Sequence, residues 1–285
     1  MPLRIEDTFR DALRNEKDEA GRPLAGMWVC SGSPLIAELC AGSGLDWLLI
    51  DAEHSPNGLE SVLAQLQAIH GYPIHTLVRP PVNDVVVIKQ YLDLGVQNLL
   101  IPMVNSLAEA EAAVAATRYP PQGVRGVGSA LARAARWNRV PDYLARAGET
   151  ISVTVQIESG AAVEAVEEIL KVDGVDAIFL GPSDLAASMG LLGQQDHPKV
   201  RAAVELCLKA AQAAGKPAGV NAFNPDTAQR YLDAGADFIL VGADVALLAR
   251  GSEALAAQYI KAPLVTKTGE TERGETERGE TPASY

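Results

Sequence analysis

Eight short aliphatic runs recur along this 285-residue chain and limit it to a few architectures. They are Leu24–Val29, Trp47–Asp51, Ile74–Arg79, Asn98–Met103, Ile151–Ile157, Ala177–Gly181, Pro217–Asn221 and Phe238–Gly242. Near-continuous apolar character over four to eight residues fits strands buried on both faces, as in a parallel sheet. Between the runs lie Pro34–Gly42, Leu59–Ile69, Asp84–Leu94, Leu107–Thr117, Ala161–Leu170, Lys199–Ala214 and Asp226–Ala234. Their apolar residues recur at three- and four-residue spacing, which predicts helices with one buried face. Gly42, Gly71, Gly95, Gly215 and Gly235 suit the helix stops. Eight alternations predict an α/β chain folded as a closed (β/α)8 TIM barrel. A doubly wound sheet is the alternative, but no G-x-G-x-x-G follows the first strand. One stretch, Tyr119–Gly148, breaks the rhythm with PPQGVRGVGSALARAARWNR. Insertions of that length tend to serve function or an interface.

The barrel is expected over 1–262 and a flexible low-complexity tail over 263–285. From Thr266 the chain reads TKTGETERGETERGETPASY, a five-residue repeat without large apolar anchors. Such a segment cannot bury enough surface to offset chain entropy.

The net charge is −12 and no Lys/Arg-dense run occurs, so neither nucleic acid nor a membrane surface is an expected partner. No apolar run approaches the roughly 18–20 residues that span a bilayer, and the mixed-charge N-terminus has no secretory h-region. Cys30, Cys40 and Cys207 are too few for a disulfide framework and form no C-x-x-C pair. A cytoplasmic protein with reduced thiols is expected.

Chemistry in such a barrel sits at the carboxyl ends of the strands. Asp51, Glu53 and His54 follow strand two, Arg79 ends strand three, and Gln156 and Glu158 end strand five. Asp184 follows strand six and Asn221 ends strand seven. Glu158 and Asp184 would repel each other in one cleft unless a cation lay between them or one kept its proton, and hard divalent ions suit such a pair. The plainer alternative is that each caps a helix. Arg79 suits a carboxylate or enolate oxygen, or else a local salt bridge. His54 is the one histidine at a predicted strand end, and Asp93, late in the following helix, is a carboxylate that would hold its tautomer. Backbone N–H groups around Gly181–Ser183 suit an anion. No lysine ends a predicted strand, so imine chemistry is not expected and carbonyl activation would call for a metal.

With WLLIDAEHSPN, LVRP, IKQYLDLGVQNLLIPMV, ATRYPPQGVRGVGSALARAARW, QIES and GPSDLAASMG in that order, the chain resembles the HpcH/HpaI family of metal-dependent (class II) pyruvate aldolases over about residues 5–260. The resemblance implies His54 of D-x-E-H as catalytic base, Asp93 of Y-L-D-L-G as its partner, and Arg79 of V-R-P as enolate stabiliser. It implies Glu158 of Q-I-E-S and Asp184 of G-P-S-D as ligands of a divalent metal, Mg²⁺, Mn²⁺ or Co²⁺. Gln156, Gly181 and Ser183 are implied substrate contacts, with Arg79 and Asp184. The implied reaction is reversible cleavage of a 4-hydroxy-2-oxo acid to pyruvate, or hydroxypyruvate, and an aldehyde. The implied assembly is a homohexamer, a trimer of dimers with helices exchanged between paired subunits. A CoA-thioester lyase of the same superfamily and a non-catalytic 2-oxo-acid-binding barrel are the alternatives.

Overall fold

The computed structural model describes residues 7–260; the tail expected over 263–285 lies outside them. Eight strands close a barrel of parallel neighbours in chain order. They are β1 (Leu24–Val29), β2 (Trp47–Asp51), β3 (His75–Arg79), β4 (Asn98–Ile101), β5 (Ser152–Ile157), β6 (Ala177–Leu180), β7 (Ala218–Asn221) and β8 (Phe238–Ala243). Each predicted strand is present, with ends displaced by at most two residues.

The outer faces of the strands and the inner faces of the surrounding helices make one apolar layer, with Ile50, Val78, Ile101, Val155 and Ile178 at its centre. The barrel interior is filled separately. Trp47, Phe179 and Phe238 occupy it with Leu49, Leu77 and Leu100. These rings meet edge-on or stacked, at 5.7 Å for Trp47–Phe238 and 5.9 Å for Phe179–Phe238. Two glycines make room for them. Gly26 is in register with Trp47, and a Cβ there would lie 2.4 Å from the indole; Gly219 is in register with Phe238, and a Cβ there would lie 2.2 Å from the ring.

The first helix, α1 (Phe9–Ala20), was hidden in sequence by its many charges. Phe9, Ala12 and Leu13 nonetheless share one face, and Phe9 plugs the amino end of the barrel, its N–H donating to Asn98 Oδ1 at 2.7 Å. The next four helices are α2 (Pro34–Ala41), α3 (Leu59–Ile69), α4 (Val85–Asp93) and α5 (Leu107–Thr117). Ser33, Asp84 and Ser106 cap α2, α4 and α5 with side-chain oxygens. The insertion forms only the short α6 (Tyr143–Arg146) and two 3₁₀ turns. The single helix predicted over Ala161–Leu170 is two, α7 (Gly160–Glu164) and α8 (Val166–Lys171), bent at Ala165. The bend keeps Ala162 on one side and Val166, Ile169 and Leu170 on the other against the barrel. Beyond these come α9 (Pro182–Ser188), α10 (Pro198–Ala213), α11 (Pro225–Asp233) and α12 (Asp244–Tyr259).

α12 departs from the pattern. Only its first residue, Asp244, is buried, where its carboxylate accepts the Cys30 and Ser31 N–H groups at 2.8 and 3.0 Å. Leu247, Leu248 and Leu255 lie exposed along its length, and Leu35 and Leu39 lie exposed on α2.

Gly219→Ala would force a methyl group against Phe238, and overpacking of this kind costs about 1–3 kcal/mol. Urea unfolding should register that loss, and Gly219→Ala with Phe238→Leu should recover part of it.

Candidate active site

At the carboxyl end of the barrel, the inward-facing positions of β2 and β3 change from apolar to charged, and those of β5, polar throughout, lead to Glu158. Asp51 and Arg79 are in register on β2 and β3, and their side chains meet at 2.9 Å from Arg79 Nε to Asp51 Oδ1. Both are almost wholly buried. The Arg79 Nη1 lies 3.0 Å from Glu53 Oε2 and donates to Gln156 Oε1 at 3.4 Å. The guanidinium rests on the Trp28 ring, 4.3 Å from its centroid. The local salt bridge anticipated for Arg79 is therefore present.

Asp51 also builds the loop that follows β2. Its carboxylate accepts the Glu53 N–H at 3.0 Å, the His54 N–H at 3.3 Å and the Ser55 hydroxyl at 3.1 Å. Its carbonyl accepts the Asn57 amide at 2.6 Å, and Gln65 holds Asn57 from α3. Burial pushes the Asp51 carboxyl up, but Arg79, the Glu53 N–H and Ser55 outweigh it and hold it below its ordinary range.

Glu158 lies buried just past β5. Its Oε1 accepts the Met103 N–H at 2.8 Å, and its Oε2 accepts the Gln156 side-chain amide in a short contact. Met103 aims that N–H from a left-handed backbone, φ 53°, a conformation costly for a residue with a side chain. Gly181 leaves the space, since a Cβ there would sit 3.1 Å from Glu158 Oε2. Burial pushes the Glu158 carboxyl up to about 7; the Met103 N–H and Arg79 pull it down, and the Asp184 and Glu53 carboxylates push it further up. Burial likewise raises Glu53, against Arg79 and His54. Asp184 sits exposed in the first turn of α9, beside Ser183.

Three carboxylates, Glu53, Glu158 and Asp184, thus feel one another. Arg79 is committed to Asp51 and Glu53, which leaves Glu158 and Asp184 short of positive charge. That donor set fits a hard divalent cation. Among the described residues no three His, Cys, Asp or Glu side chains form a complete cage, so a cation here would keep most positions for water and substrate oxygens.

His54 lies at the rim with its side chain 65% exposed, and its Nε2 is 3.8 Å from Glu53 Oε2. The expected Asp93–His54 pair is not made within the chain. α4 runs back from the mouth, so Asp93 at its end returns towards the amino ends of the strands, where its Oδ1 accepts Arg125 Nη2 at 2.8 Å. Arg125 comes from the insertion, fully buried, over the Tyr119 ring. Sequence reasoning noticed Asp51 and Glu53 but gave them no role, and it passed over Trp28 and Arg125. The pairing of Asp51 with Arg79 was readable from two adjacent strands ending in opposite charges.

Asp51→Ala would leave Arg79 buried without its main partner, and such breaks cost about 3–5 kcal/mol. Chemical denaturation should show a loss in that range, with faster proteolysis of the 53–57 loop. The double variant Asp51→Leu/Arg79→Leu should lose less.

Known proteins resemble the chain over most of its length. The profile of the HpcH/HpaI aldolase/citrate lyase family matches residues 24–251. A 4-hydroxy-2-oxo-heptane-1,7-dioate aldolase of Salmonella dublin is 54% identical over 255 residues, 90% of this chain and 95% of its own. An HpcH/HpaI aldolase/citrate lyase family protein from Burkholderia cenocepacia J2315 superposes with a TM-score of 0.83 at 38% identity, covering 88% of this chain and 98% of its own. An HpcH/HpaI aldolase from Desulfitobacterium hafniense DCB-2 gives a TM-score of 0.78 at 29% identity, over 87% and 97%.

Proposed function

The chain belongs to the HpcH/HpaI aldolase/citrate lyase family and is an aldolase, and we propose that it reversibly cleaves a 4-hydroxy-2-oxo acid to pyruvate or hydroxypyruvate and an aldehyde with the help of a divalent cation. One observation carries this reading: Glu158, buried and crowded by Asp184 and Glu53, faces the mouth beside an arginine already held by other acids. Glu158 and Asp184 would hold Mg²⁺, Mn²⁺ or Co²⁺. When bound, such an ion supplies Lewis-acid polarisation of the 2-oxo acid.

The residues of the chain divide the remaining work. Arg79, fixed by Asp51, Gln156 and Trp28, faces its free N–H groups to the oxygen that gains charge as C3 loses its proton. Its rigidity means that little reorganisation accompanies the charge. His54 moves the proton at C3 or at the aldehyde oxygen, with Glu53 as the carboxylate nearest its ring. Gln156 braces both Arg79 and Glu158 and so fixes their separation. Gly181 and Ser183 border the space where the carboxylate of the 2-oxo acid would lie.

We also assign the chain to a homohexamer in which α12 of one copy covers the exposed α2 face of another. The support is α12 itself, apolar and uncovered beyond Asp244. A cytoplasmic setting is supported by three free cysteines; among the described residues no helix is long and apolar enough to cross a membrane.

The proposal is tested by proton–deuterium exchange at the pyruvate methyl group, followed by NMR. Chelator-stripped protein should be inactive and should recover with Mn²⁺, Mg²⁺ or Co²⁺. Glu158→Gln and Asp184→Asn should weaken metal binding in calorimetry at least tenfold. His54→Ala should lose about 10²–10⁴-fold in aldol turnover while binding metal normally. Exchange that ignores metal would overturn the reading. For the assembly, Leu247→Asp/Leu248→Asp should lower the mass seen in analytical ultracentrifugation.

A further inference from the structure

A second cavity, of about 120 Å³, opens beside the metal-binding carboxylates, between the ends of β6 and β7. It has room for several water-sized groups. Its wall begins at Ser183, next to Asp184, and at Asn221, which accepts the Trp28 indole N–H at 3.0 Å. Trp28 in turn carries Arg79 on its ring. The cavity therefore continues from the reaction site.

Its lining is polar and uncharged but for one acid. Gln195 accepts the Ser183 hydroxyl at 3.0 Å, and Asp196 accepts the Thr227 hydroxyl at 3.1 Å. No Lys, Arg or His side chain lines it. At its floor lies Tyr231, fully buried on α11, whose hydroxyl has no hydrogen-bond partner. An unpaired buried hydroxyl is costly and calls for a partner. Burial pushes this phenol up to about 12, so it is a hydroxyl at neutral pH. A hydroxyl can both donate and accept, as can the amides of Gln195 and Asn221. Asp196 and Glu205 on one hand and Arg201 and Arg230 on the other act on the Tyr231 hydroxyl, so the charges around it oppose one another.

We propose, on the aldolase reading above, that this cavity binds the chain of the aldehyde partner and selects one bearing hydroxyl groups over an apolar one, with Tyr231 as its specificity-determining residue. Tyr231→Phe is a clean probe, since the hydroxyl it removes holds nothing in the folded protein.

The test compares kcat/KM for addition of pyruvate to glyceraldehyde and propanal, in the metal-loaded enzyme. The wild type should prefer glyceraldehyde. Tyr231→Phe should lower kcat/KM for glyceraldehyde about 3–10-fold, the worth of one hydrogen bond, and leave propanal within twofold. Equal changes for glyceraldehyde and propanal, or none, would overturn the subsite while pyruvate exchange still stood. Absence of pyruvate exchange in the wild type would remove the aldolase reading and this proposal with it.

Discussion

The mouth of this barrel is organised around one buried ion pair, Asp51 with Arg79. Desolvating two charges costs several kcal/mol each, so a pair of this kind is kept for geometry as much as for stability. Here the geometry is specific. Asp51 spends its remaining lone pairs on the Glu53 and His54 backbone and on Ser55. Arg79 sets its Nη1 against Glu53 and Gln156 and rests on Trp28. Through Gln156 the network reaches Glu158. Glu53, His54, Gln156 and Glu158 are thus one or two contacts from the same pair, and a shift of either member would move them together.

That network stands on a floor that cannot yield. Trp47, Phe179 and Phe238 fill the interior directly beneath it, and each large ring next to a glycine leaves no slack. Below the rings Phe9 closes the other end, tied to Asn98. The charges therefore sit buried above a packed aromatic layer. Electrostatic interactions are stronger in such a setting than in bulk water, which is why crowding by Asp184 and Glu53 weighs on Glu158.

The strands were legible because parallel strands buried on both faces carry few charged residues except at their ends. The same rule made Arg79, Glu158 and the Asp51–His54 segment visible as breaks in aliphatic runs. Helices were legible only where packing dictated their pattern. α1 keeps its apolar face within a charged sequence, and α12 has almost no buried face to leave a periodic mark. Asp93 shows that proximity in sequence is not proximity within the subunit. A helix returns the chain to the other end of the strands, so a residue late in α4 recedes from His54 and meets the insertion's Arg125 instead. No local pattern in the insertion marks Arg125 as buried, because its burial depends on Tyr119, Tyr143 and Asp93 arriving from three separate segments.

Around the mouth, charge is not evenly shared. The β2, β3 and β5 side holds Asp51, Glu53, Arg79 and Glu158, while the β6 and β7 side holds Ser183, Asn221 and the cavity floored by Tyr231. The dividing position is Asp184, which belongs to the charged half by its effect on Glu158 and to the neutral half by its place beside Ser183. Chemistry on an oxo acid needs fixed charge that opposes what develops in the transition state. Choice among aldehydes needs hydrogen-bonding groups that penalise a partner unable to satisfy them. Placing these demands on opposite arcs of one rim lets the neutral arc vary in shape and polarity without disturbing the ion pair on which the charged arc depends.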